Sequence, residues 1–245
     1  VKTISMSIKD DTADGNETAF AVTGYVEGTT VSLTRADFDT DLDDAPKVTI
    51  TEAADTVGDN VIVALTGVGV NGDDGAGVAA DEFGIGTLDV DNFETVNIAS
   101  TKTTTQTANE LIALQANSAT SLTLTGNAAL TLGTITLAGT ASSVDASAMT
   151  GALTLTAGTY NATYKMPTVS STLNFGTALN NQDTVIGGAG TADVVNADVS
   201  GANSTTGALN ISAVETVNLD VDTTAAVVDA ASVSGQINIY QDAGG

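Results

Sequence analysis

Leu122-Thr123-Leu124-Thr125-Gly126-Asn127-Ala128-Ala129-Leu130-Thr131-Leu132-Gly133-Thr134-Ile135-Thr136-Leu137 decides the fold class. It holds three apolar-Thr-apolar triplets, and a fourth follows at Leu153-Thr154-Leu155. A period of two puts both apolar side chains on one face of an extended strand and Thr on the other. Each triplet is therefore a short, half-buried strand. Successive triplets begin 8, 5 and 18 residues apart, so the strands stack without a strict repeat. Nearer the start, Ala19–Tyr25 and Thr29–Thr34 read as two further strands.

Two longer repeats point to stacking. Gly86-Thr87-Leu88-Asp89-Val90-Asp91-Asn92-Phe93-Glu94-Thr95-Val96-Asn97-Ile98 returns 121 residues later as Gly207-Ala208-Leu209-Asn210-Ile211-Ser212-Ala213-Val214-Glu215-Thr216-Val217-Asn218-Leu219. The segment Val144–Leu155 returns as Val228–Ile239, with Val, Asp, Ala and Gly in register. Two motifs repeated in the same order predict duplicated coil units, the mark of a solenoid. The expected fold is all-β, an irregular parallel β-helix or β-solenoid with a small acidic N-terminal β segment. Pro46 suggests a boundary, which gives residues 1–48 as that segment or the end of a preceding module, and residues 49–245 as a Thr- and Gly-rich solenoid. The chain opens on Val1 and closes on Ala243-Gly244-Gly245, which reads as a piece of a longer polypeptide.

Composition narrows the function. The 245 residues carry 30 Asp and Glu against 6 Lys and Arg, a formal charge of −24. No basic face can be assembled for phosphates, so nucleic-acid binding is excluded. No stretch approaches the roughly 18 apolar residues of a transmembrane helix, so membrane insertion is not expected. His and Cys are both absent, which removes the usual nucleophile–base pairs, disulfides and thiolate metal sites. Glu94 and Glu215 sit at equivalent places in a repeat. They are expected to do one structural job twice, accepting backbone N–H groups at a turn, and the chain is read as not an enzyme.

Cations are the natural counterweight to this charge, and three segments could hold them. Asp183-Thr184-Val185-Ile186-Gly187-Gly188-Ala189-Gly190-Thr191-Ala192-Asp193 resembles the glycine-rich nonapeptide of calcium-binding parallel β-rolls, with one extra residue between Gly190 and Asp193. In that family glycine carbonyls and an aspartate hold Ca²⁺ between turns, which here implies Asp183, Gly188, Gly190 and Asp193; an ordinary Gly-rich β-turn is the other reading of the segment. Asp37, Asp39, Asp41 and Asp43 alternate along an acidic run and would project from one face of a strand, a costly density of like charge without a cation. Gly is missing at the sixth position and Glu at the twelfth, so this is no EF-hand; an irregular calcium site and a solvated acidic loop both remain open. The same two readings apply to Asp73 and Asp74 in Asn71-Gly72-Asp73-Asp74-Gly75.

Taken with Leu124-Thr125-Gly126-Asn127-Ala128 and Val144-Asp145-Ala146-Ser147, the Glu-Thr-Val-Asn repeats and the glycine turn resemble Gram-negative surface-layer proteins of the Caulobacter and Campylobacter type, across roughly residues 50–240. The resemblance implies a calcium-stabilised extracellular solenoid, type I export, and lateral assembly at the cell surface. Its implied partners are copies of the chain in a lattice or filament, with surface polysaccharide as an additional candidate. A calcium-rigidified repeat module of a large secreted adhesin is the alternative. Parallel β-helix polysaccharide lyases are the nearest enzyme class by architecture, but they use a Lys or Arg beside calcium, and cations here are few and scattered.

Overall fold

A computed structural model describes residues 2–8, 19–35, 47–68, 85–139, 141–199, 207–221 and 228–240. Among them lie nineteen strands and no helix, numbered here in chain order. One sheet runs β1 (Lys2–Ile8), β3 (Thr29–Arg35), β5 (Asn60–Thr66), β7 (Thr95–Thr101), β9 (Ser121–Gly126), β11 (Ser142–Met149), β13 (Ala162–Lys165), β15 (Thr184–Ile186) and β17 (Asn210–Ser212). The other runs β2 (Phe20–Tyr25), β4 (Lys47–Glu52), β6 (Ile85–Asp89), β8 (Ala108–Gln115), β10 (Ala129–Thr136), β12 (Leu153–Thr156), β14 (Thr172–Asn174), β16 (Val194–Asp198), β18 (Thr216–Asp220) and β19 (Gln236–Tyr240). All the pairings are parallel, and the chain alternates between the sheets up to β18. This is a β-solenoid, as the two repeats predict. Between β18 and β19 two single bridges, Ala208 to Asp229 and Ile211 to Val233, carry the first sheet one step further.

The triplets build the core. Leu122, Leu124, Leu130, Leu132, Leu153 and Leu155 are all buried, while the threonines between them lie at least partly in solvent. Inward side chains of both sheets join one continuous cluster from Ile8 to Leu219. Aliphatic residues carry most of it, helped by edge-to-face pairs at Tyr25–Phe93 and Tyr164–Phe175, each with ring centroids 5.3 Å apart. β2 pairs with β4 and β3 with β5, so both sheets run through residue 48 without a break.

The first repeat has an unexpected placement. In its earlier copy the strand after Glu94 is β7 of the nine-stranded sheet; in its later copy the strand after Glu215 is β18 of the ten-stranded sheet. The repeating unit is thus a half coil, a strand and its corner, usable on either side. The second repeat keeps its sheets, since β11 and β12 match the bridged segment 229–233 and β19.

Two polar devices tie the coils. Asn174, Asn196, Asn218 and Asn238 fall in register on β14, β16, β18 and β19 and form a ladder of side-chain amide bonds, each 2.8 Å. Asn97 and Asn60 make a similar rung on the other sheet, at 2.6 Å. Asn109, fully buried, accepts from Val68 N at 2.8 Å and donates to Ser100 Oγ at 2.9 Å and the Thr101 carbonyl at 3.2 Å. A buried amide with this many partners is a fastener, because each donor and acceptor left unpaired there would carry a desolvation cost.

Candidate metal centre

At the corner between β4 and β5, Glu52, Asp55 and Asp59 each place a carboxylate oxygen within 4.8 Å of the others. Glu52 ends a strand whose inward residues are Val48 and Ile50, so the half-buried acid is held at the rim of the core. Asp59 is fixed by its own turn: its two carboxylate oxygens accept from Thr56 N at 2.6 Å and Thr56 Oγ1 at 2.7 Å. Glu94, from the next coil, accepts Gly58 N at 3.0 Å and Asp59 N at 2.8 Å through one oxygen. Tyr25 sits beneath, donating to the Thr29 carbonyl at 2.6 Å and receiving Ile62 N at 3.3 Å. These contacts frame a cavity of about 230 Å³ lined by Tyr25, Glu27, Glu52, Thr56, Asp59 and Phe93, among others.

The electrostatics are polarised. Glu52 Oε1 is shielded from solvent and receives no hydrogen bond. Burial, then a hydrogen bond to Asp59 that only the protonated acid can donate, and the charges of Asp59, Asp55 and Glu94 push its carboxyl up to about 7. Asp59 moves the other way, held below the usual carboxylate range chiefly by the Thr56 hydroxyl and amide. A site with too many negative charges and one oxygen without a donor can be relieved by a proton or by a hard cation. Three carboxylates on one side leave the remaining coordination positions of such an ion to water, carbonyls or another chain.

Asp183 and Asp193 lie elsewhere and have other work. Asp183 Oδ1 accepts Ala162 N of the preceding coil at 3.1 Å, and Oδ2 accepts Asn180 N of its own turn at 2.9 Å. Asp193 repeats the arrangement with Ser171 N at 2.9 Å and Gly188 N at 3.1 Å. Both are nearly inaccessible to solvent, and burial pushes both carboxyls upward against the pull of these amides. The glycines between them are required by close approach. A Cβ on Gly187 would strike the Ala213 carbonyl, one on Gly188 the Pro167 carbonyl, and one on Gly190 would crowd Ser170 N. Among the described residues, Glu52, Asp55 and Asp59 form the one group of three acidic residues close enough to share an ion. Asp37, Asp39, Asp41, Asp43, Asp73 and Asp74 lie outside the described residues.

Glu94 and Glu215 act alike, as their repeat suggests. Glu215 accepts Asp193 N at 2.7 Å, just as Glu94 accepts Asp59 N. The triad around Asp59 escapes a sequence reading because its spacing is unremarkable beside denser acidic runs; its only local sign is Glu52-Ala53-Ala54-Asp55-Thr56-Val57-Gly58-Asp59, acids bracketing a turn. Comparison with known protein families, with characterised proteins and with solved structures finds no match in any of the three.

Proposed function

We propose that this chain is a structural, non-enzymatic segment of an extracellular surface layer, assembling through calcium-dependent lateral contacts at the cell surface. The observation that carries the reading is the Glu52–Asp55–Asp59 corner: three carboxylates gathered at one turn, with Asp59 held in place by Thr56 and Glu94, on a chain of charge −24. Ca²⁺ suits it, since that ion takes six to eight oxygens and tolerates irregular geometry. The solenoid supports the reading in a second way. Its outer faces are long, regular and polar, suited to side-by-side contact, and like-charged copies approach only when a cation is shared between them.

Electron microscopy and light scattering of the purified chain, with millimolar Ca²⁺ and then with chelator, test this. Ordered sheets or filaments that dissolve in chelator are expected. A monomer at every calcium concentration would discard the lattice in favour of an adhesin module that calcium merely stiffens.

A further inference from the structure

On the outer face of the ten-stranded sheet, β14, β16, β18 and β19 present two adjoining rows. One is the amide ladder; the other, two residues on, is Gly176, Asp198, Asp220 and Tyr240. Gly176 has open space where a side chain would stand, and the rows frame a trough of about 480 Å³. Each interior rung spends one N–H and one oxygen lone pair on the ladder, so Asn196 and Asn218 keep a second N–H and a second lone pair for a ligand. Asp220 adds an exposed acceptor, and Tyr240, 55% exposed, completes the lining of the trough.

We propose that this trough binds an uncharged glycan chain lying along the solenoid axis. Donor–acceptor pairs repeat at the strand spacing of about 4.8 Å, a periodic match for the hydroxyls of a polymer. An exposed aromatic ring packs on the C–H face of a sugar while keeping its polar tip in water. Asp198 and Asp220 repel an anionic polysaccharide. The proposal draws on the cell-surface reading only for where such a glycan is met.

Affinity electrophoresis of the full chain tests it, through gels carrying a neutral glucan, mannan or galactan and through one carrying polygalacturonate, all in chelator so that calcium-driven assembly plays no part. Retardation by at least one neutral glycan is expected, with the dissociation constant raised at least tenfold in Tyr240→Ala and in Asp220→Ala. Both substitutions are on exposed side chains, and circular dichroism checks that the fold is kept. No retardation by any neutral glycan, retardation by polygalacturonate alone, or unchanged binding in both variants overturns the proposal. Sedimentation showing a dimer that Tyr240→Ala abolishes would overturn it too, and give the face to a second copy.

Discussion

Asp193 and Glu215, one coil apart, are joined twice: Glu215 Oε2 accepts Asp193 N at 2.7 Å, and Thr216 N, the next residue, donates to the Asp193 carbonyl at 3.1 Å. Asp59 and Glu94 show the same pair of bonds, with Thr95 N reaching the Asp59 carbonyl at 3.0 Å. The repeated Glu-Thr is therefore a corner clasp, in which the side chain takes a donor that the strand ladder has not yet begun to pair.

Removing the clasp strands that donor. Glu215→Ala is expected to cost about 1–3 kcal/mol, the usual penalty for a partly buried N–H without an acceptor, whereas Glu215→Gln keeps an oxygen in place and recovers most of it. Urea unfolding followed by circular dichroism measures both. Equal loss in the two variants would mean that the charge matters and the hydrogen bond does not.

The calcium site proposed at the β4–β5 corner predicts a stoichiometry. Calorimetry on Asp59→Asn should find one ion fewer than wild type, and Asp193→Ala should lose stability in chelator and in calcium alike, since its carboxylate serves Ser171 and Gly188. A site that binds the folded state alone adds about 2.7 kcal/mol at a hundredfold excess of ion over Kd. An unchanged ion count in Asp59→Asn would reject the corner as the site.

Acidity offers a separate handle on Glu52. Its folded-state carboxyl is raised from 4.5 to about 7, so its contribution to stability is fully present below about 4.5 and is lost as pH rises through about 7. In chelator, Glu52→Gln should therefore melt above wild type at pH 8, and the gap should close by pH 5. Melting curves at both pH values decide this; a gap independent of pH would show that Glu52 does not titrate in that window.

The amide ladder predicts a positional difference. Asn218 takes part in two rungs and Asn174 in one. At about 1 kcal/mol net per neutral hydrogen bond, Asn218→Ala should cost roughly twice what Asn174→Ala does. Equal unfolding midpoints for the two variants would mean that the rungs contribute little beyond the backbone pairing.

Strand identity was readable from sequence because a buried Leu two residues from another buried Leu is a local fact, as at Leu122 and Leu124. The switch of sheet between the Glu94 and Glu215 motifs was not, since both sheets point their apolar residues into the same core and a half coil looks identical on either side. The ladder was equally hidden. Asn174, Asn196 and Asn218 lie 22 residues apart and Asn238 a further 20, separations that acquire meaning only once the coil length is known. The acidic corner is not legible in the sequence because charge density points to Asp37–Asp44 and Asp73–Asp74, whereas Asp59 is organised by bonds its carboxylate accepts from Thr56 and by one its backbone N–H donates to Glu94, 35 residues on.

Parallel stacking also sets how this rod meets tension. Its backbone hydrogen bonds run along the long axis, so a pull from end to end stretches them in line, and each coil is held by its immediate neighbours alone. Under load such a rod peels one turn at a time at its weakest joint instead of shearing as a whole. From β14 to β19 every joint of the ten-stranded sheet adds an amide rung, and it does so where backbone pairing is short, three residues at β14–β16 and β15–β17 against seven at β5–β7, so the rungs brace the joints that would otherwise yield first.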